Sequence, residues 1–148
     1  MQDFIKPKGN LVIRLFDKDD NLKQMVEVPN IVVTTGKFFI AERMTGTPTA
    51  MSHMAIGSSN LNLVDANTTL ESEEARVAFD SASTSNATTT YVATFGAGVG
   101  TASITEAGIF NGSDPVGDAG TMLCRTTFAV ITKEATDTLT ISWNVTIN

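Results

Sequence analysis

Glu106 is the only charged residue in the run Ile104-Thr-Glu-Ala-Gly-Ile-Phe110, which Asn111-Gly112 closes. A carboxylate set among Ile104, Ala107, Ile109 and Phe110 has two uses. It can move a proton as a catalytic acid, or it can gather hydrogen-bond donors, most cheaply backbone N–H groups of a facing loop. General acid/base chemistry with paired carboxylates needs a second acid at a matched spacing, and none accompanies Glu106. A structural clasp is therefore expected. Gly108 removes a side chain beside it, as glycine within a strand does where another segment comes close.

Other chemistry-bearing residues are sparse. His53 is the sole histidine, in Met51-Ser-His-Met-Ala-Ile-Gly57, so it can build neither a His-rich metal site nor an evident relay to a serine. Cys124 is the sole cysteine, which excludes an internal disulfide and a thiolate-rich zinc site; within Met122-Leu-Cys124 it reads as a small buried hydrophobe rather than a nucleophile. Asp17, Asp19 and Asn21 imitate the opening of a calcium loop. The sixth position is Leu22 and the twelfth Val28, where glycine and a bidentate glutamate are required, so a hairpin turn is expected. Ser58-Ser59-Asn60 lacks the Gly-Lys-Thr of a phosphate cradle, and Gly96-Ala-Gly-Val-Gly100 lacks the dinucleotide-binding register. No metal, cofactor or reaction is expected.

Bulk properties narrow the class. The 148 residues suit one domain, with 42% hydrophobic and 18% charged residues, an ordinary balance for a folded soluble chain. No run nears the roughly 20 apolar residues of a membrane helix, and the start carries no apolar signal-like segment. A net charge of −6, with ten scattered basic residues, argues against nucleic acid as main partner. The N-x-S/T triplets at Asn67, Asn86, Asn111 and Asn144 follow from abundant Ser and Thr.

The elements that must position Glu106 read as strands. Residues 1–9 form an arm whose large apolar groups are Phe4 and Ile5; it is either loose or pinned by a neighbouring subunit. Residues 10–148 form one domain. Strands are expected over 10–16 and 22–28, and a helix over 36–44, capped by Thr34 or Thr35 and stopped by Gly46. Its Phe38-Phe39-Ile40 cluster should plug an open end or one face of a sheet. A strand over 51–57 leads to a polar connection over 60–72 anchored by Leu61, Leu63 and Leu70. Glu71, Glu73 and Glu74 beside Arg76 read as a solvated strand entrance to an extended run over 75–79. Residues 81–90 read as a long hairpin tip. Strands follow over 91–95, 104–110, 121–131 and 139–147, the last with the cleanest alternation. Trp143, on that strand, should be a centre of packing. Together these predict a mainly β fold, an antiparallel β-sandwich with one short α-helix.

The order Asn30-Ile-Val-Val-Thr-Thr-Gly36, Met54-Ala-Ile-Gly57, Leu70 with Glu74 and Arg76, and Ile104-Thr-Glu-Ala-Gly-Ile-Phe110 with Asn111 and Gly120 resembles virion proteins of tailed phages. It is most similar to globular domains of the tail-fibre and tail-collar kind, over about residues 30–147. The signature positions are Ala55, Ile56, Gly57, Glu106, Gly108 and Phe110. The resemblance implies a non-enzymatic, homotrimeric building block of the virion, made in the host cytoplasm and contacting other virion proteins; the charge and the absence of long apolar runs add that no nucleic acid and no membrane partner is expected. Phe4 and Ile5, or residues 81–90, would contact neighbours. Fibre proteins of this kind continue into a shaft and receptor-binding tip, whereas this chain is expected to stop with the domain at Asn148. A stand-alone copy would be a tail-fibre or baseplate adaptor, or a capsid decoration (cement) protein. A carbohydrate- or receptor-binding module is the third reading.

Overall fold

The computed structural model of the protein describes residues 6–147. The order is β1 (Pro7–Phe16), β2 (Leu22–Val32), α1 (Thr34–Glu42), β3 (His53–Gly57), β4 (Glu73–Ala78), β5 (Ser81–Ser85), β6 (Thr88–Phe95), β7 (Ala102–Phe110), β8 (Met122–Lys133) and β9 (Thr138–Ile147). The mainly β composition with one short helix is as expected. The layering differs from a pair of separate sheets. The nine strands of the described residues join in one antiparallel sheet, β4-β3-β7-β8-β2-β1-β9-β6-β5, curled into a half-barrel.

Two features of the chain enforce the curl. β2 pairs with β1 over most of its length, but with β8 only at Ile31 and Val32, so the sheet turns a corner there. The two edge strands, β4 and β5, are joined by Phe79 and Asp80 alone. Three Cα steps span at most about 11 Å, so the sheet must bend until its edges meet at that end. Phe79 N–H donates to Ser52 O on one side and Asp80 N–H to Val92 O on the other.

The core fills the concave side. Period-2 alternation turns Leu11, Ile13 and Leu15 of β1 and Leu139, Ile141, Trp143 and Val145 of β9 inward. They meet Met54 and Ile56 of β3 and Ile109 of β7 from the other half. A bulge in the β7–β8 pairing between Ile104 and Glu106 resets the alternation. Ile104, Ala107 and Ile109 thus face the core, leaving Glu106, Gly108 and Phe110 on the convex side. Helix α1 packs Phe39 and Ile40 on the core, while Phe38 is 61% exposed, so two of the three expected plug residues turn inward. Gly36 lets the helix settle on β8, because a Cβ there would overlap the Leu123 carbonyl.

Several expected boundaries move. β1 begins at Pro7 instead of residue 10, since pairing with β9 runs from Pro7–Ile147 onward. Phe4 and Ile5 lie outside the described residues. β2 continues through Pro29, which is tolerated where no strand pairs on that side before Ile31. The helix starts at Thr34 after Val33, without a side-chain cap; Thr35 Oγ1 donates instead to Met122 O. Residues 81–90 are not a long tip. They are β5, a two-residue turn at Asn86-Ala87 with Asn86 at φ 54°, and the start of β6. Threonine favours extended backbone, and Thr84–Thr89 and Thr88–Thr146 hydroxyl pairs tie the strands together at 2.9 and 2.8 Å.

Candidate functional site

Glu106 is fully buried beneath the 58–72 connection. Its Oε1 accepts the Glu71 N–H at 2.9 Å, and its Oε2 accepts those of Ser72 at 2.8 Å and Ser59 at 3.2 Å. The facing loop thus supplies three backbone donors. The fourth partner is Arg125 of β8, also fully buried, whose Nε and Nη2 donate to Oε1 at 3.2 and 3.0 Å.

The remaining Arg125 donors seize the same loop. Nη1 reaches Asn62 O and Asn67 Oδ1 at 3.1 and 3.0 Å, and Nη2 reaches Leu61 O at 3.0 Å. Asn62 adopts φ 56°, which asparagine accepts more readily than most residues, and so turns its carbonyl to the guanidinium. A buried ion pair is tolerable when each charge is fully hydrogen-bonded, and here both are. Register explains the meeting. Gly57 of β3 pairs with Glu106, and Ala55 pairs with Gly108, itself opposite Arg125. A Cβ on Gly57 would overlap both the Ser72 carbonyl and the Glu106 carboxylate, so glycine there lets the loop descend. Ile56, between them, belongs to the main core.

A second arginine clasp adjoins the first. Arg76 of β4 forms a bidentate pair with Glu73 at 2.9 and 2.8 Å. Its Nη1 donates to Gly112 O and Ala119 O, both at 2.9 Å, closing the 111–120 loop. Its guanidinium lies over the Phe110 ring, 3.9 Å from the centroid. Ala55, Leu70, Phe110 and Met122 form a small apolar layer on this convex side. The expected solvated entrance is therefore corrected: Glu71 and Glu74 face water, while the Arg76 side chain turns inward. Of the expected loop anchors only Leu70 is buried; Leu61 and Leu63 are exposed, because the ion pair holds that part of the loop by its backbone.

The other buried charges also hold loops. Lys133 Nζ donates to Gly96 O and Asp137 O, both at 2.8 Å. Burial pulls its pKa down, against the opposing pull of Asp137. Asp137 accepts Lys23 Nζ at 2.7 Å and the Glu134 N–H at 2.9 Å, and these bonds, the lysine's first, hold its carboxyl below the usual range. Asp17 accepts the Asp19 and Asn21 amides as a hairpin turn. Cys124 is buried, which pushes its thiol well above the ordinary value. His53, itself half-buried at the start of the otherwise buried β3, has its Nδ1 2.7 Å from Ser52 Oγ. Trp143 is fully buried.

Chemically, Glu106 and Arg125 form a closed centre. Both carboxylate oxygens are engaged and neither reaches solvent, so no substrate proton can approach. Among the described residues, no group of three or more His, Cys, Asp or Glu could hold a metal ion, and no helix is long and apolar enough to cross a membrane. Arg125 was missed in the sequence, although a readable signal was present. It is the one charge in Met122-Leu-Cys-Arg-Thr-Thr-Phe128, as Glu106 is in its own run, and lone opposite charges in two apolar strands are expected to pair. Compared with protein-family models, curated proteins and solved structures, the chain matches none.

Proposed function

We propose that the protein is a non-enzymatic structural subunit of a tailed-phage particle. It is of the tail-fibre or baseplate-adaptor kind, works as a homotrimer and contacts other virion proteins. The resemblance in the order of the Ala55-Ile56-Gly57, Arg76 and Glu106–Phe110 segments supplies the particle. The observation that carries the non-enzymatic reading is that Glu106 and Arg125, buried together, are engaged entirely in fixing a loop. Such a loop is a stiff surface for contact, which suits a subunit whose task is to hold other subunits. Trp143 lies in the core and offers no platform to a sugar, which favours this reading over a carbohydrate-binding module.

The test is light scattering of the purified protein together with gold-labelled antibody on the particle. A mass three times the 15.7 kDa chain and label on the tail support the proposal. Label on the head would move the protein to capsid decoration, and absence from the particle would end the structural reading.

A further inference from the structure

The loop that Arg125 and Glu106 fix so firmly presents apolar side chains to water. Leu61 is 64% exposed, Val64 50% and Leu63 36%. Their positions are set from three directions: Arg125 grips the Leu61 and Asn62 carbonyls, Asn67 Oδ1 accepts the Val64 N–H at 3.0 Å, and Asp65 O accepts the Thr34 N–H at 2.8 Å. Ordering this segment before contact removes an entropic cost of binding. The same chain carries a matching receptacle. A groove of about 480 Å³ runs beside α1, with Ile40, Ala41 and Met44 along one wall and Pro7 and Ile147 along the other. Met44 is 82% exposed. Lys37 stands on the groove rim, and the loop carries exposed Asp65 next to Val64, so the charges are opposite as well.

We infer that the Leu61–Asp65 loop of one copy docks into the α1 groove of a second copy. This rests on the building-block reading and names its contact. Knob and groove are different surfaces, so the contact is directional and can propagate into a closed ring.

The test mixes two full-length variants, Leu61→Asp and Met44→Asp. Both positions face solvent, so folding is retained and is checked by circular dichroism. Sedimentation velocity should show wild type as an assembly and each variant alone weakened about thirtyfold or more, as for loss of a central apolar contact. The two variants mixed should associate as far as a heterodimer and no further, because one keeps its groove and the other its loop, which leaves a single intact contact. Variants that assemble like wild type, or a mixture that stays monomeric, would overturn this contact while leaving the building-block reading standing. If deletion of residues 1–5 dissolves the assembly and Leu61→Asp does not, the arm is the groove's occupant and the inference fails. A wild type that is monomeric at every concentration sinks both.

Discussion

Trp143 of β9 donates its indole N–H to Asn30 Oδ1 of β2 at 2.9 Å, across the intervening strand β1. The bond is possible because β1 carries Gly9 at the crossing; a Cβ there would overlap Asn30 Oδ1. It ties β9 to β2 over the start of β1 and satisfies the one polar atom of the largest core side chain. Trp143→Ala should cost about 3–5 kcal/mol in urea unfolding, the range for emptying a large aromatic site. A loss under about 1 kcal/mol would mean that Trp143 is not a packing centre.

Tyr91 is the only tyrosine, so its titration can be read directly by phenolate absorbance. Burial first, and the nearby Cys124 second, push its pKa up to about 12. In the unfolded chain it should ionise near the ordinary 10. The unfolded state therefore releases the proton first. The contribution of Tyr91 to stability is fully present below pH 10 and is lost as pH rises from 10 towards about 12. A native midpoint near 10 would show the ring to be open to water.

Two glycine substitutions should differ sharply. Gly57→Ala forces a methyl group into the Ser72 carbonyl and the Glu106 carboxylate, and should cost about 1–3 kcal/mol or more. At Gly96→Ala the new Cβ meets, among the described residues and beyond its chain neighbours, no heavy atom within 4 Å, and the variant should stay within about 0.5 kcal/mol of wild type. Thermal unfolding of the two side by side checks the close approach of loop to strand.

Asp137 should shape the acid limb of stability. Its carboxyl is held below the ordinary aspartate range by Lys23 and the Glu134 amide, so the unfolded state binds the proton more readily. Its stabilising contribution is present above about pH 4 and is lost as pH falls through the lower, folded value. Asp137→Asn should flatten the slope of stability against pH below 4. An unchanged slope would assign the acid sensitivity to other carboxylates.

Much of this was legible in the chain. The alternation of Leu139, Ile141, Trp143 and Val145 gave β9 and its buried face, and the Glu106 run indicated a carboxylate that needed donors. Residues 81–90 were opaque because β5 lies at a sheet edge with both faces polar, so Ser and Thr left no hydrophobic period to read. The curl of a single sheet was hidden because it depends on a two-residue link between edge strands that only pairing reveals. The partnership of Arg125 with Glu106 joins positions 19 residues apart, and the Asn62 and Leu61 carbonyls held by Arg125 lie 63 and 64 residues before it, which local patterning does not connect.

Hydrogen exchange on wild type and Glu106→Gln tests most directly whether this buried pair is what holds the loop. The substitution keeps the shape but removes the charge facing Arg125, and should cost about 3–5 kcal/mol. The amides of Ser59, Glu71 and Ser72 should be protected in wild type and should exchange at least about tenfold faster in the variant, ahead of β1 and β9. Unchanged protection of those three amides would contradict the account, because the loop would then be held by something other than Glu106.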